Sequence, residues 1–519
     1  MRLTQMLLRA AHVSHAGWAT RQGERRRSWQ EFAARVARLA GGLKDLGIGT
    51  GDRVAILALN SDRYLEFFFA VPWAGAVFVP INTRLAAPEI AYWLNDSGSL
   101  ALFVDDNFLP LLPKLRPELT TVRHFVHVGD GPAPAGLVHY EALHDGSAAH
   151  ADAERGGGDL AGIFYTGGTT GQSKGVMLSH GNLHANALNA TIGLRFDRHT
   201  NWLHAAPMFH LADGTSTFAV TLMGGQHCFI PKFDAGEVLA AIERYRASHS
   251  CLVPTMINLV VNHPDLPRHD ISSFRGVLYG ASPMPETLIR KALQVMPKVG
   301  FFHGYGQSEC APMLTVMGPE YHVLEGANAA KLTSCGQPAA GVEVKICDEA
   351  GNEVKRGVLG EIRARGANVM LGYWNKPELT ARTIVDGWIR TGDGATMDED
   401  GFVYIVDRLK DMIISGGENV YSAEVENAIY RHAGVAECAV IGIPHDKWGE
   451  QVHAIVRLKA GERADAQTLI AHCKALIANY KCPRSVAFAT DPLPLSGAGK
   501  ILKTELRKPY WAGRAKQVS

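Results

Sequence analysis

Residues Tyr165-Thr166-Gly167-Gly168-Thr169-Thr170-Gly171-Gln172-Ser173-Lys174-Gly175 gather glycines and hydroxyls into one run that closes on a lysine. Glycines let backbone N–H groups approach phosphate oxygens without a Cβ in the way, hydroxyls add donors, and the lysine adds a mobile positive charge. That combination suits the wrapping of a polyphosphate. A Walker A loop needs glycine directly before its lysine and a hydroxyl residue after it; here Ser173 precedes Lys174 and Gly175 follows, so a different nucleotide chemistry is implied. Smaller islands accompany the run. His303-Gly304-Tyr305-Gly306-Gln307-Ser308-Glu309 offers an aromatic face, close backbone and a carboxylate, which suit a purine ring and a Mg2+ ion on its phosphates. Trp388-Ile389-Arg390-Thr391-Gly392-Asp393 ends in an aspartate fit to accept two ribose hydroxyl bonds, and Asp407-Arg408 offers similar groups. Ser496-Gly497-Ala498-Gly499-Lys500 presents a lysine on a glycine-rich loop. Singly, each island reads as an ordinary turn; their ordered co-occurrence points to one nucleotide site drawn from distant segments.

Loops of this kind hang on strands and helices. Gly162-Ile163-Phe164 leads into the first run as a strand, Val176-Met177-Leu178 resumes apolar character, and Ser179-His180-Gly181-Asn182 reads as a helix start. Over residues 28–46, Phe32, Val36, Leu39, Leu43 and Leu46 recur at helical spacing until Gly47, Gly49 and Gly51 stop the pattern. Short apolar runs (54–57, 76–79, 100–104, 163–165) alternate with helical patterns (64–74, 238–248, 285–294), which predicts an α/β architecture with largely parallel sheets. From about Val342, short strands separated by turn residues predict a β-rich subdomain, about 335–406, within a large N-terminal domain, 1–406. The charged connector 407–411 then leads to a small α+β domain, 412–519, with helices over 423–430 and 466–477 and strands over 436–441 and 452–458.

A chain of 519 residues exceeds one simple core. Its 46% hydrophobic and 20% charged content belong to an ordinary globular protein. A formal net charge of +1 gives no global attraction to nucleic acid or an anionic membrane, and Arg25-Arg26-Arg27 reads as a solvated loop. Eight cysteines without CxxC or zinc-like spacing predict reduced thiols in a cytoplasmic protein. The N-terminus lacks a signal-peptide pattern, and the apolar stretch 67–81, with Pro72 and Pro80, reads as buried helix, turn and strand rather than a membrane span.

In the order of these islands the chain resembles the adenylate-forming acyl-CoA synthetases, relatives of luciferases and nonribosomal peptide adenylation domains. The anchors are residues 165–175, 305–309, 388–393, 407–426 and 493–500, spread through nearly the whole chain. The resemblance implies a two-step reaction in which a carboxylate attacks the α-phosphate of ATP and the CoA thiol then attacks the acyl-AMP. By matching position it implies Thr166 and Glu309 as Mg2+–phosphate contacts and Gly167, Gly168, Thr169, Thr170, Gly171 and Lys174 as the phosphate loop. Gly280, Ala281, Ser282, His303, Gly304, Tyr305, Gly306 and Ser308 would surround the nucleotide, and Asp393 and Arg408 would take the ribose. Lys500 looks like the catalytic lysine, and Pro207-Met208-Phe209-His210 like the gate beside the carboxylate. Lys410 occupies the hinge position, Gly416-Gly417 the wall of the pantetheine tunnel, and Trp448, Tyr480 and Arg484 match contacts for CoA. The chain departs from the family pattern at Gly168, where serine is more usual, at Ser308 for threonine, at His303 for an amide or acidic residue, and at Ser422 for a frequent proline. An acyl pocket formed by 207–215, 279–283 and 304–313 would present Met208, Phe209, Leu211, Ala281, Pro283, Ala311 and Met313, with no lysine or arginine. That favours an apolar acid: a medium- or long-chain fatty acid first, an aryl or cinnamate-type acid second, with loading of a carrier protein as a further alternative. The implied partners are the acid, ATP and CoA, with a homodimer allowed.

Overall fold

Buried β-branched and aromatic runs build two sheets whose interiors are parallel. The computed structural model describes residues 1–15, 17–166, 173–408, 411–415, 418–496 and 499–512, with the Arg408 side chain outside that description. The first sheet has nine strands. Its inner strands, Trp18–Gln22, Gln226–Phe229, Asn201–His204, His249–Cys251, Gly276–Gly280 and Gly300–Gly306, pair in parallel, and antiparallel strands close both edges. The second has eight strands. It is parallel through Leu160–Thr166, Val77–Pro80, Arg53–Leu57, Ser99–Val104 and His124–His127, and antiparallel where Leu160–Thr166 turns back into Lys174–Ser179. Helices Trp29–Asp45, Asp62–Trp73, His180–Leu194 and Leu211–Met223 lie between them around an aromatic core. Within it Phe68 meets Phe78 edge-on at 5.1 Å and Phe218 at 5.8 Å; such contacts add about 0.5–1.5 kcal/mol beyond area burial.

Local signals set the element ends. Ser28 caps helix Trp29–Asp45 by accepting from the Glu31 N–H while Glu31 returns the bond to the Ser28 N–H. Three expectations need correction. Arg25–Ser28 is a strand rather than a solvated loop, and Arg25 and Arg27 pair with Asp62, whose carboxylate is 1% exposed. Asp62 and Glu66 are drawn inside by the packing of helix Asp62–Trp73, and buried carboxylates need counter-charges. The helix expected over 466–477 ends at Lys474, and the strand expected over 436–441 extends over Val435–His445 in a long hairpin with Gly449–Leu458.

The third sheet, antiparallel, contains Val342–Cys347, Gly360–Gly366, Trp388–Met397 and Val403–Arg408. The fourth, between residues 413 and 488, has its own core of Ile413, Val425, Ile429, Val440, Val452 and Leu469. The eight cysteines are buried unpaired thiols. No helix among the described residues is long and apolar enough to cross a membrane.

Candidate active site

In parallel α/β sheets the crevice beyond the carboxyl ends of the strands is where ligands collect. Here strands Asn201–His204, His249–Cys251, Gly276–Gly280 and Gly300–Gly306 end at one cleft of about 2390 Å3, whose far wall comes from residues 423–438 and 492–508. Thr166, Lys174, His210, Gly280, Ala281, Ser282, His303, Gly304, Tyr305, Gly306, Ser308, Glu309, Asp393 and Lys500 all line it.

Two glycines are steric requirements. A Cβ on Gly280 would stand 2.1 Å from the Gly304 carbonyl oxygen, and one on Gly306 would stand 1.7 Å from that of Pro312. Gly306→Ala is therefore expected to destabilise the protein by about 1–3 kcal/mol and to disturb Tyr305. Thermal melting with and without nucleotide checks this; an unchanged melting temperature contradicts it.

The Tyr305 hydroxyl donates to Asp393 Oδ2 at 2.7 Å, and Thr391 Oγ1 accepts from the Asp393 N–H. Burial, with the Asp393 charge next, pushes the Tyr305 phenol well above its ordinary range, so it stays a donor. Strand pairing sets Asp393 opposite Arg408. His303 stacks on Tyr279 at 4.5 Å and binds the Ser334 carbonyl through Nδ1 at 2.9 Å. A carbonyl can only accept, so Nδ1 carries the hydrogen and Nε2 is an acceptor. Burial lowers this histidine to about 4, which keeps it neutral.

Thr166 faces Lys174 across the strand pair, while 167–172, and with them the expected loop residues Gly167, Gly168, Thr169, Thr170 and Gly171, lie outside the described residues. Glu309 accepts from the Tyr373 hydroxyl at 2.8 Å, and the Lys174 ammonium lies 5.2 Å from the Tyr373 ring. A carboxylate and a hydroxyl are hard oxygen donors of the type Mg2+ takes.

His210 caps helix Leu211–Met223, with Nδ1 accepting from the Ala212 N–H at 3.1 Å. Its hydrogen therefore sits on Nε2. Burial first, and the Lys500 charge second, lower His210 to about 4, so a neutral N–H donor and an ammonium stand together. The segment 207–210 is held from both sides: Asn60 Nδ2 donates to the His204 and Ala206 carbonyls and Asn60 Oδ1 accepts from the Met208 N–H, while His204 binds Asp213 at 2.5 Å and His227 at 2.9 Å.

Of the expected acyl-pocket residues, Phe209, Ala281, Pro283 and Met313 line the cleft; Met208, Leu211 and Ala311 do not. Met208 and Leu211 turn into the hydrophobic core because helix Leu211–Met223 and the preceding segment pack their other face on it, and Ala311, which follows the turn Ser308–Cys310, is buried in the same core. Leu278, Cys251, Ala212 and Thr215 supply lining in their place. Trp448 stacks on His445 at 4.2 Å and has the Arg484 guanidinium 3.6 Å from its ring centre, two partners too close to share one face. Trp448, Tyr480 and Arg484 are not among the residues lining the cleft. Lys410, Gly416 and Gly417 lie outside the described residues.

Sequence reading missed Asn60, Arg84 and Tyr373. Arg84 lines the cleft and donates to the Ser496 carbonyl at 2.8 Å, which ties the lysine loop to the large body. Each is a lone polar or aromatic residue outside any glycine-rich island, so only its place in space marks it.

Residues 8–374 match the family described as AMP-binding enzyme, and residues 424–500 its C-terminal domain. Feruloyl-CoA synthase of Amycolatopsis sp is 41% identical over 97% of this chain and 98% of that protein. The long-chain-fatty-acid–CoA ligase FadD13 of Mycobacterium tuberculosis is 36% identical over 94% of each. Among solved structures, ATP-bound MatB from Rhodopseudomonas palustris superposes with a TM-score of 0.87 at 31% identity, covering 99% of both chains.

Proposed function

The chain belongs to the AMP-binding enzyme family and is an AMP-forming acid–CoA ligase, and from that premise we propose that its acid is a compact aryl carboxylate of the cinnamate or arylacetate kind. The depth of the cleft along helix Leu211–Met223 carries this reading. Ala212 and Thr215 line the cleft, whereas Phe218 and Ala219, one turn on, are sealed among Phe68, Phe69 and Phe78. One helical turn is about 5.4 Å, the scale of a single ring. The identity with feruloyl-CoA synthase supports the same choice. A fatty acid is the second reading, favoured by the apolar lining and by the FadD13 relative.

Two anions must meet for the carboxylate oxygen to attack the α-phosphorus and for the bond to pyrophosphate to break, so alignment and charge neutralisation supply most of the catalysis. The Lys500 ammonium bridges the carboxylate and the α-phosphate as a placed charge, and the His210 Nε2–H orients the carboxylate. His303 Nε2 accepts from the adenine amino group, the role an amide or acid fills in the family pattern. Asp393 and Arg408 hold the ribose, with Tyr305 against the base. Thr166, Lys174 and the 167–171 loop take the phosphates, and Glu309 with Thr166 would hold Mg2+, which neutralises phosphate charge when bound. In the second step the CoA thiol attacks the carbonyl carbon, AMP leaves and the thiol proton is released. For this the small domain, 412–519, turns about the 407–411 hinge at Lys410 and brings Gly416-Gly417 to the pantetheine and Trp448, Tyr480 and Arg484 to the CoA nucleotide.

The test is CoA-dependent AMP release across ferulate, cinnamate, phenylacetate, octanoate and palmitate. Aryl acids are expected to exceed palmitate in kcat/KM by at least about tenfold, the discrimination a misfit in an apolar pocket yields. A best rate with palmitate overturns the proposal in favour of the fatty acid.

A further inference from the structure

Asp407 is the last but one residue of strand Val403–Arg408, just before the undescribed positions 409–410, and its carboxylate reaches across to the small domain. Oδ2 accepts from the Ser422 N–H at 2.5 Å and from the Ser422 hydroxyl at 2.6 Å. Ser422 is the first residue of helix Ser422–Tyr430, whose N-cap residue Tyr421 offers no side-chain cap. The helix is thus capped from the far side of the connector, where a carboxylate also meets the positive end of the helix dipole. The same Ser422 hydroxyl accepts from Lys503 Nζ at 2.5 Å, and Lys503 pairs with Glu426 at 2.7 Å.

Lys503 opens helix Lys503–Trp511, three residues after Lys500. The chain leading up to it is tightly bound: Ser496 N–H donates to the Lys500 carbonyl at 2.6 Å, the Lys500 N–H donates to Ser496 Oγ at 3.1 Å, and Leu495 bridges Ile501. A second tie, Arg507 to Asp411 at 2.8 Å, joins the same helix to the connector's other end. The connector is therefore pinned at both ends to the helix that follows the catalytic loop.

We propose that Asp407, Ser422 and Lys503 form a latch that exists only in the pose with Lys500 in the cleft, with Ser422 and Lys503 as positioning residues for Lys500. Turning about a hinge between 407 and 422 separates Asp407 from Ser422, so the latch favours adenylation and opposes thioester formation. This rests on the assignment of Lys500 to adenylation.

Ser422→Pro isolates the latch. Proline is tolerated at a first helical position and prefers an extended residue before it; Tyr421, at φ −87 and ψ 119, is extended. The substitution removes both donors that Ser422 offers Asp407 and leaves Lys503 its Glu426 partner. Acid-dependent exchange of pyrophosphate into ATP reads adenylation, and consumption of preformed acyl-AMP by CoA reads the second step. Ser422→Pro is expected to lower the ratio of first to second rate by about tenfold, the scale of lost charge-assisted bonds. Ser422→Ala, which keeps the N–H, is expected to fall between. An unchanged ratio, or equal slowing of both steps, overturns the latch while leaving Lys500 in place; intact exchange in Lys500→Ala overturns the assignment beneath it.

Discussion

Lys500→Ala is expected to abolish acid-dependent pyrophosphate exchange while CoA still consumes preformed acyl-AMP at close to the unmodified rate. The argument is one of charge and place. The Lys500 turn is carried into the cleft by Gly499, whose Cα faces Val253 and Thr255 of the large body, and by the Arg84 bond to Ser496. The lysine's charge is felt by His210, which lies beside the carboxylate position in the proposed site. Two negatively charged reactants approach there, and in a partly dehydrated cleft a fixed positive charge does what bulk water cannot. Removing one such group costs about 100- to 1,000-fold in rate. The second step breaks a bond in a mixed anhydride that is already activated and, in the proposed cycle, runs with the tail turned away. Measuring the two half-reactions separately on one preparation decides the matter; equal loss in both contradicts this division of labour. Because a truncated lysine leaves the turn's backbone bonds intact, a folding defect is not the expected cause of the loss.

The parts of this site that could be read from sequence are those in which chemistry and backbone demand coincide. Gly280, Gly304, Tyr305 and Gly306 stand at or near strand ends, and close backbone approach demands glycine at 280 and 306, so there the motif and the geometry are one signal. The alternation of helix and short apolar run likewise carried the parallel sheets, because period and length differ between the two element types. What stayed hidden depends on which face of an element looks at the cleft. Met208, Leu211 and Ala311 sit in the right segments but turn into the core, and Ala212, Thr215 and Cys251 line the cleft. Arg25 and Arg27 looked solvated because their partners, Asp62 and Glu66, lie some 40 residues on, at helix positions where buried carboxylates are not expected. Asn60, Arg84 and Tyr373 act through long-range contacts that no local pattern encodes. Ser422 was legible as a departure from the family pattern, and only the structure connects it to Asp407 and Lys503.

Stability is expected to fall steeply between pH 6.5 and pH 5, before carboxylates titrate. Burial lowers His180, His210, His249, His303 and His322 each to about 4, with the Lys500 charge adding to the effect at His210. A base whose folded pKa is depressed binds more protons when unfolded, so stability rises with pH across the interval between the two values. The loss therefore begins as pH falls through about 6.5, the unfolded histidine value, and levels off near 4. From pH 7 to pH 5 each group contributes about 2 kcal/mol, and five together reach a sum of about 5–10 kcal/mol, comparable with a domain's whole margin. All five lie in the large body, and burial lowers His453 of the small domain to about 4 as well, so both parts share this pH dependence. His322 makes the sharpest test: Nδ1–H donates to the Gly318 carbonyl at 2.9 Å, which leaves Nε2 to accept from the Tyr279 hydroxyl at 2.9 Å. His322→Gln retains a donor and an acceptor without a titrating group. Its destabilisation relative to the parent should shrink as pH falls from 7 to 5, by up to about 1.4 kcal/mol per pH unit. Parallel unfolding curves for the two proteins across that range contradict the assignment, as does a parent whose midpoint is flat from pH 7 to pH 5.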